Sequence, residues 1–289
     1  MINKIIVHNS VFHADDVACV AIARMLNPAV EWSRTSNLQG LDVNSDDNVI
    51  VADIGFGRFD HHGKAAKTRE DGGKHSAATL MWERFGIEAV QTRYPTLDVF
   101  EAAKVAKTVM EKLLYTIANG DNGIYSPDFT INVAIAQFNA LWDDKCPHAA
   151  DVRFLQALQF METVLKNTME TRLSELRATS VVTEAIRNST DGIIVLECFA
   201  PWKHAACANE NMKAVVFPSA RGGWSMQLVP VTPDSFETRV HVPESWCGKQ
   251  DKEAGLEQKG MTFCHRNGFI SSFDSKEHAI EAAEFLVHA

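Results

Sequence analysis

The sequence contains no apolar run of the roughly 20 residues that a membrane-spanning helix needs. Its longest apolar stretch, near residues 192–202, is interrupted by Glu197. The opening residues MINKIIVHNS include one lysine and too short an apolar stretch for a secretory signal peptide. We therefore expect a cytoplasmic protein with no membrane segment.

Cysteine pairs and an excess of basic residues are also missing. The six cysteines are scattered and form no C-x-x-C pair, which favours reduced thiols over a disulfide framework. Lysine and arginine total 28 against 37 acidic residues, giving a net charge of −9. This balance argues against a protein that coats long nucleic acids by charge alone. It leaves room for an enzyme with short anionic substrates, because bound cations reverse the local field.

Short apolar strands alternate with helices in the first half of the chain. Residues 4–8 predict a first strand, and residues 15–26 predict a buried helix with two aspartates at its N-terminus. Further strands are predicted at residues 30–34 and 49–54. The last of these, VIVADI, lacks polar alternation, as expected of a parallel strand buried on both faces.

Longer helices are predicted in the middle of the chain. Apolar residues repeat at steps of three and four over residues 98–118, and Asn119 and Gly120 are suited to end that helix. Residues 76–86 predict a shorter helix, and residues 151–187 predict one or two long ones.

The pattern changes near residue 180 to short strands with denser prolines, predicted at 193–198, 213–217 and 224–231. This change predicts a second domain of mixed α+β structure. The fold class is therefore α/β, with a parallel-sheet domain at 1–150, a helical connector at 151–180 and a mixed α+β domain at 181–289.

Side chains suited to metal binding stand where several of these elements begin or end. Parallel sheets gather functional residues beyond the carboxyl ends of their strands, so these side chains are expected to converge. Imidazole and carboxylate together suit manganese, iron, zinc or magnesium, and an aspartate shared by two ions would suit phosphoryl transfer. The candidates are His8, His13, Asp15, Asp53, His61 and Asp121.

Each candidate also has an ordinary structural explanation when it is taken alone. Asp15 could cap the first helix, and His8 could simply end a strand. Asp53 could start a turn, and Asp121 lies in an Asp-Asn-Gly turn signal. The metal hypothesis depends on their joint placement.

Six motifs, in order, resemble the DHH phosphoesterase superfamily and, more closely, the melanocyte-proliferating-gene family of metal-dependent hydrolases. The first three are HNSVFHADD, VADIGFGRFDHHG and ANGDNG; the others are APWKHA, RVHVPESWCG and CHRNGFISSFDSKEHAIEAA. Together they span nearly the whole chain. The glycine-rich G-G-G-H motif of the superfamily's nucleases is missing, so their substrate choice does not carry over.

The resemblance implies two divalent metal ions, most often manganese, in a catalytic domain formed by the first half of the chain. It also implies a substrate-binding domain in the second half. The ligand sets it implies are His8 and His13 for the first ion, Asp15, His61 and Asp121 for the second, and Asp53 as the bridge between both.

Other residues of the same motifs acquire roles by the same resemblance. His62 would face the scissile phosphate, so His62 and Asp53 are the expected catalytic residues. Asp60 would orient a neighbouring histidine. Asp16 would either support a ligand or only cap the helix.

Four residues of the second half are candidates for binding substrate. Arg239 and Lys203 could hold phosphate oxygens, Trp202 could stack on a base, and His265 opens the stretch HRNGFISS. Each has a structural alternative, because a tryptophan can lie in the core and a lysine or arginine can lie on a solvated surface.

The leading hypothesis is a two-metal phosphodiesterase, which the resemblance narrows to a 3′–5′ exonuclease acting on RNA or short oligonucleotides. One alternative is a hydrolase of a small phosphate compound, such as pyrophosphate or a signalling dinucleotide. Another is a metal-stabilised regulator without catalytic activity. The sequence does not predict an oligomeric state.

Overall fold

The structure is a computed structural model that describes residues 2–44, 47–63, 68–124, 126–144 and 149–288. Its contacts divide the chain into two units, residues 1–173 and residues 174–289. The functional division into domains at 1–150 and 181–289 with a connector at 151–180 stays a prediction.

The first unit is built on a three-stranded parallel sheet, as the sequence predicted. The strands are β1 (Lys4–Val7), β2 (Glu31–Arg34) and β3 (Val49–Val51), in the order β2-β1-β3. The β-branched and apolar residues of β1 are buried, since it is the central strand. Helix α1 (Ala14–Leu26) follows β1 and is buried along most of its length.

The predicted helix at 76–86 extends further, as α2 (Ala77–Arg93). The next helical segment consists of α3 (Val99–Val109), a π-helical turn (Met110–Leu114) and α4 (Tyr115–Asp121). A short helix, α5 (Ile131–Ala136), comes next.

The predicted helix end at Asn119 and Gly120 is wrong, because α4 continues to Asp121. Gly120 is needed there for close packing rather than for a turn. A Cβ atom on it would lie 2.3 Å from Nδ2 of Asn132. That amide donates a hydrogen bond to the carbonyl of Thr116 at 2.8 Å.

Residues 149–187 form one uninterrupted helix, α6 (Ala149–Arg187). Near its start, Phe154 packs edge-on against Phe12, with ring centroids 5.3 Å apart, and also contacts Trp32. None of the described helices is both long enough and apolar enough to cross a bilayer.

The second unit contains a five-stranded sheet in the order β4-β5-β6-β8-β7. The β4–β5 pair is parallel and the other three pairs are antiparallel, so the sheet is mixed, as the sequence predicted. Its elements are β4 (Ile193–Val195), α7 (Lys203–Cys207), β5 (Ala214–Pro218), β6 (Trp224–Leu228), a 3-10 turn (Glu244–Trp246), α8 (Asp251–Glu257), β7 (Met261–Cys264), β8 (Ile270–Phe273) and α9 (Lys276–His288).

The cysteines of the described residues are free thiols, as the sequence predicted. Cys146 lies outside the described residues. The five free thiols are Cys19, Cys198, Cys207, Cys247 and Cys264.

Candidate metal centre

The carboxyl ends of β1 and β3 bring the first two candidates together. His8 directly follows β1, and Asp53 comes two residues after β3. Because these strands are neighbours in a parallel sheet, both side chains lie at the same sheet edge. Asp53 has a φ of +61°, a strained conformation of the kind found at functional sites.

One group of ligand-type atoms surrounds His8. Its Nε2 atom lies 2.8 Å from Oδ2 of Asp16 and 3.5 Å from Oδ2 of Asp53. A nitrogen or oxygen atom from each of these three residues falls within 4.8 Å of the others, which is close enough to share one ion.

A second group surrounds His61, on the other oxygen of Asp53. Nε2 of His61 lies 3.2 Å from Oδ1 of Asp53 and 2.8 Å from Oδ2 of Asp121. Asp15 completes a set of four residues whose ligand atoms lie within 4.8 Å of one another. The two groups therefore meet at Asp53, one on each carboxylate oxygen.

The first group contains Asp16, whereas the resemblance had implied His13. The His13 residue is exposed, and its ring centroid lies 5.6 Å from that of His8. Its backbone N–H donates to Oδ1 of Asp16 at 3.2 Å. The structure thus places Asp16 at the centre as well as at the helix start, and the role of His13 as a ligand stays a prediction.

Three buried atoms of this cluster have no hydrogen-bond partner of acceptable geometry. They are Oδ2 of Asp16, Oδ1 of Asp53 and Nε2 of His61, although imidazole and carboxylate atoms lie close to each of them. Buried polar atoms without partners are rare in folded proteins, and an unseen ion is one standard explanation. The donor set of imidazole and carboxylate therefore fits divalent cations of the manganese, iron, zinc or magnesium type.

Helix α2 holds Asp15 in place from outside the cluster. The backbone N–H groups of Ala77 and Ala78 donate to its two carboxylate oxygens at 2.8 and 2.9 Å. These N–H groups have no partner within the helix because they lie in its first turn, where a negative charge is stabilised. The sequence does not predict this contact, and the one signal it offers is Ser76, a favourable N-cap before the helix.

The histidines of the centre hold protons strongly when carboxylates are their only neighbours. The contacts with Asp16 and Asp53 raise the pKa of His8 to about 11. Burial disfavours charged His61, but contacts with Asp121 and Asp53 outweigh it and raise its pKa to about 10. Burial also disfavours ionised Asp53, but contacts with His61 and His8 prevail and lower its pKa to about 2.

The two aspartates at the start of α1 show the opposite effect. Both are fully buried, and burial raises the pKa of Asp15 well above its usual value, with further contributions from the charges of Asp53 and Asp121. Burial likewise raises the pKa of Asp16. This crowding of carboxylates is costly without positive charge, because buried charges must be paired or coordinated.

Asp60 orients His62, as the resemblance implied for a neighbouring histidine. Its Oδ1 atom lies 2.7 Å from Nδ1 of His62 and accepts the backbone N–H of His62 at 2.9 Å. The His62 side chain is 56% exposed, whereas that of His61 is 6% exposed. Nδ1 of His62 is also 3.8 Å from Asp53, and ligand atoms of His62, Asp53 and His61 lie within 4.8 Å of one another. Asp60 engages Nδ1, which leaves Nε2 for another partner.

The loop that carries His8 and His13 is fixed by two residues that the sequence analysis did not select. Asn139 accepts the N–H of Phe12 and donates to its carbonyl, at 2.9 and 2.8 Å. Arg34 donates to the carbonyl of Ser10.

A similar clamp fixes the end of α4. Arg69 pairs with both oxygens of Asp71, at 2.9 and 3.0 Å, and donates to Oδ1 of Asn119 at 2.8 Å. Asn119 lies two residues before Asp121, so this buried arginine ties the ligand-bearing helix to the segment before α2. No short motif marks these supporting residues in the sequence.

Two of the substrate-binding candidates in the second unit have structural roles. Trp202 is 2% exposed and belongs to a hydrophobic core beside β4 and β5. The guanidinium of Arg239 donates to backbone carbonyls, including those of Asn209 at 2.6 Å and Cys207 at 2.8 Å. These positions account for both side chains without a ligand.

The other two candidates are more accessible. Lys203 is exposed at the first position of α7. His265 is half-buried, packs against Phe269 with ring centroids 4.6 Å apart, and accepts the N–H of Asn267 at Nδ1. A neutral His265 with that contact carries its proton on Nε2, so this ring can donate a hydrogen bond.

The first unit is thus an α/β fold with a buried histidine–carboxylate centre suited to divalent cations. The sequence matches the MYG1 exonuclease family, described as an uncharacterised protein family (UPF0160), over residues 4–286, and the chain belongs to this family. This membership confirms the closer of the two resemblances noted in the sequence, whereas the wider DHH assignment stays a prediction.

Individual relatives match along most of their length. The MYG1 exonuclease of Mus musculus is 27% identical, with 96% of this chain and 82% of the mouse protein covered. The MYG1 protein C694.04c of Schizosaccharomyces pombe is 28% identical, covering 97% and 96%. The MYG1 protein of Dictyostelium discoideum is 26% identical, covering 94% and 93%. No solved structure matches the chain significantly.

Proposed function

We propose that this protein is a two-metal phosphodiesterase, a 3′–5′ exonuclease that acts on RNA or short oligonucleotides. The observation that carries the proposal is the position of Asp53, whose two oxygens face two separate groups of ligand-type atoms. The name exonuclease, given to the mouse and human relatives, supports nuclease chemistry. The net charge of −9 favours short substrates over long ones.

The proposed ligands follow the two groups of the centre. We assign manganese to both positions, on the resemblance to DHH phosphoesterases, with a donor set that also suits magnesium, iron and zinc. The first position would take His8, Asp16 and Asp53, with His13 as the further ligand that the resemblance implies, and the second would take Asp15, His61, Asp121 and Asp53.

Bound divalent ions would lower the pKa of a water molecule and offset negative charge on the phosphate. The chain supplies the geometry around them. Asp53 would keep the two positions adjacent, and the N-terminus of α2 fixes Asp15. Preorganised charges of this kind stabilise a transition state without having to rearrange during the reaction.

His62 is the proposed residue for direct contact with the phosphate. Asp60 engages Nδ1, which leaves Nε2 to donate to a phosphate oxygen when both ring nitrogens carry protons. Hydrolysis transfers the oxygen of water to phosphorus, breaks the bond to the leaving oxygen and returns a proton to that oxygen. A hydrogen bond from His62 would stabilise the negative charge that grows on the phosphate during this exchange.

Lys203 and His265 of the second unit are further candidates for contact with the substrate. The roles of Lys203 and His265 in holding phosphate oxygens stay predictions. Trp202 and Arg239 have no part in the proposal, because the core and the backbone carbonyls already account for them.

The test combines metal analysis with a panel of substrates. Protein loaded with manganese should hold about two ions per chain. It should release mononucleotides from the 3′ end of dinucleotides and short RNA, followed with a 5′-labelled substrate. Turnover of pyrophosphate alone would identify a small-phosphate hydrolase instead. Two bound ions without turnover of any phosphodiester would identify a regulator.

A further inference from the structure

Phe56 lies exposed in the loop that joins Asp53 to His61. Its side chain is 76% exposed, and its φ is +56°. The left-handed region is sterically unfavourable for a residue that has a Cβ atom, and a bulky residue there is an outlier. Neither burial nor backbone preference explains a phenylalanine at this position.

The loop around Phe56 is nonetheless well fixed. Gly57 packs so closely on the neighbouring segment that a Cβ atom would lie 2.4 Å from the carbonyl oxygen of Val43. The N–H of Phe56 donates to Oδ2 of Asp60 at 2.7 Å. The strained conformation is therefore held by its surroundings, as is typical of binding and catalytic loops.

The same carboxylate orients Phe56 and His62. Oδ2 of Asp60 accepts the backbone N–H of Phe56, while Oδ1 engages Nδ1 of His62 at 2.7 Å. The exposed aromatic residue and the proposed phosphate contact are thus fixed by one buried group. A ligand that binds Nε2 of His62 therefore binds to the same loop that carries the exposed Phe56.

Two other exposed apolar residues lie close in sequence to proposed metal ligands. Val11, two residues before His13, is 60% exposed, and Ile124, three residues after Asp121, is 55% exposed. Single exposed hydrophobic residues need no explanation. Three of them, each within three residues of a proposed ligand, favour a substrate with an apolar face over pyrophosphate.

We propose that Phe56 stacks on the nucleobase next to the scissile phosphate and so selects nucleotides over bare phosphate compounds. This inference rests on the proposed function and narrows it to substrates that carry a base. Stacking on an aromatic side chain tolerates any base, since every base has a π-face. The fixed loop lowers the entropy lost on binding, because the ring is already held in place.

The test compares Phe56→Ala with Phe100→Ala in full-length protein loaded with manganese. Phe100 is a matched control, being equally exposed at 76% on α3 of the same unit. Binding of AMP and of ribose 5-phosphate is measured by calorimetry. We expect wild type and Phe100→Ala to prefer AMP, and Phe56→Ala to lose roughly 5- to 150-fold in AMP affinity with ribose 5-phosphate unaffected.

Two further variants separate stacking from structural damage. Phe56→Trp should retain the preference for AMP. Phe56→Gly should lose it while the melting temperature stays the same or rises, because glycine accepts a positive φ. The inference is overturned if Phe56→Ala binds AMP like Phe100→Ala, or if both ligands weaken equally. These binding results decide the role of Phe56 even where wild-type protein cleaves no phosphodiester, an outcome that would refute only the proposed function.

Discussion

Nε2 of His61 lies 2.8 Å from Oδ2 of Asp121, although one residue follows a strand and the other ends a helix. The contact depends on α4 continuing past Gly120, which packs closely against the side chain of Asn132. A helix that stopped at Asn119, as the sequence suggested, would not carry Asp121 in its last turn. The metal centre is therefore a product of tertiary packing as much as of its motifs.

Asp53→Asn should abolish both metal positions at once. Each oxygen of Asp53 faces a different group of donors, and an amide is a neutral, weaker ligand than a carboxylate. Elemental analysis of manganese-loaded protein should fall from about two ions per chain to fewer than one. Phosphodiesterase turnover should be lost with it.

A matched substitution provides the control for Asp53→Asn. Asp98 is an aspartate of the same unit that caps α3 by accepting the N–H of Glu101 at 2.8 Å. Asparagine caps helices about as well as aspartate, so Asp98→Asn should leave folding and metal content unchanged. Normal metal content and turnover in Asp53→Asn would show that Asp53 does not bridge.

Metal removal should destabilise the first unit. Without cations, the buried carboxylates of Asp15 and Asp16 have too little positive charge around them. A ligand that binds only the folded state stabilises it by about 2.7 kcal/mol at 100 times its dissociation constant. We expect manganese to raise the melting temperature of chelator-treated protein, and Asp53→Asn to remove this response. Superimposable melting curves with and without manganese would count against a metal centre.

Much of the fold could be predicted because the decisive signals are local. The β-branched run of β1 and the unalternating VIVAD stretch each predicted one strand, and the apolar repeat over residues 98–118 predicted the helical segment that runs from α3 to α4. The π-helical turn Met110–Leu114 left no recognisable pattern. The end of α4 was wrong because Asn119 and Gly120 form a helix stop signal locally, while the contact with Asn132 that overrides it comes from a distant residue.

The sequence predicted site residues that lie at the ends of strands or helices. It could not predict the role of a residue whose function depends on the direction of its side chain. The sequence left Asp16 open between a helix cap and a supporting role, and the structure buries it against His8. The sequence also left Trp202 open between stacking on a base and the core, and the structure places it in the core. No sequence pattern tells an inward-facing tryptophan from an outward-facing one in a loop that precedes a short helix.

Ala77→Pro should weaken metal binding without breaking α2. Ala77 is the first residue of that helix, where proline is well tolerated because its missing N–H has no intrahelical partner. The N–H that would be lost is one of the two donors to Asp15. A hydrogen bond to a charged group contributes about 1.5–3 kcal/mol, so manganese affinity should fall by roughly 10- to 150-fold, measured by calorimetry.

Val99→Pro is the control, because Val99 occupies the same position in α3. It should leave manganese affinity unchanged. Circular dichroism should show that α2 remains helical in Ala77→Pro. If both proline variants bind manganese like wild type, the helix N-terminus does not support the ligand role of Asp15.

His61→Ala and His62→Ala should separate metal binding from phosphate binding. His61 is buried between Asp53 and Asp121, so its loss should reduce manganese affinity and turnover together. His62 is exposed, and its Nδ1 lies closer to Asp60, at 2.7 Å, than to the ligand Asp53, at 3.8 Å, so its loss should leave manganese binding intact. Turnover at saturating manganese should then fall by about 10²–10³, the range for losing one donor to a developing oxyanion.

The result for His62→Ala depends on which nitrogen of His62 contacts an ion or the phosphate. Nδ1 is the atom near Asp53, at 3.8 Å, but it lies closer to Asp60, at 2.7 Å. If Nδ1 turned from Asp60 to an ion, His62→Ala would lose manganese as His61→Ala does, and both residues would be ligands. Asp60→Asn adds a further test, because it weakens the orientation of His62 without removing the ring. It should lower turnover at unchanged manganese content, and full turnover in either Asp60→Asn or His62→Ala would place the phosphate elsewhere.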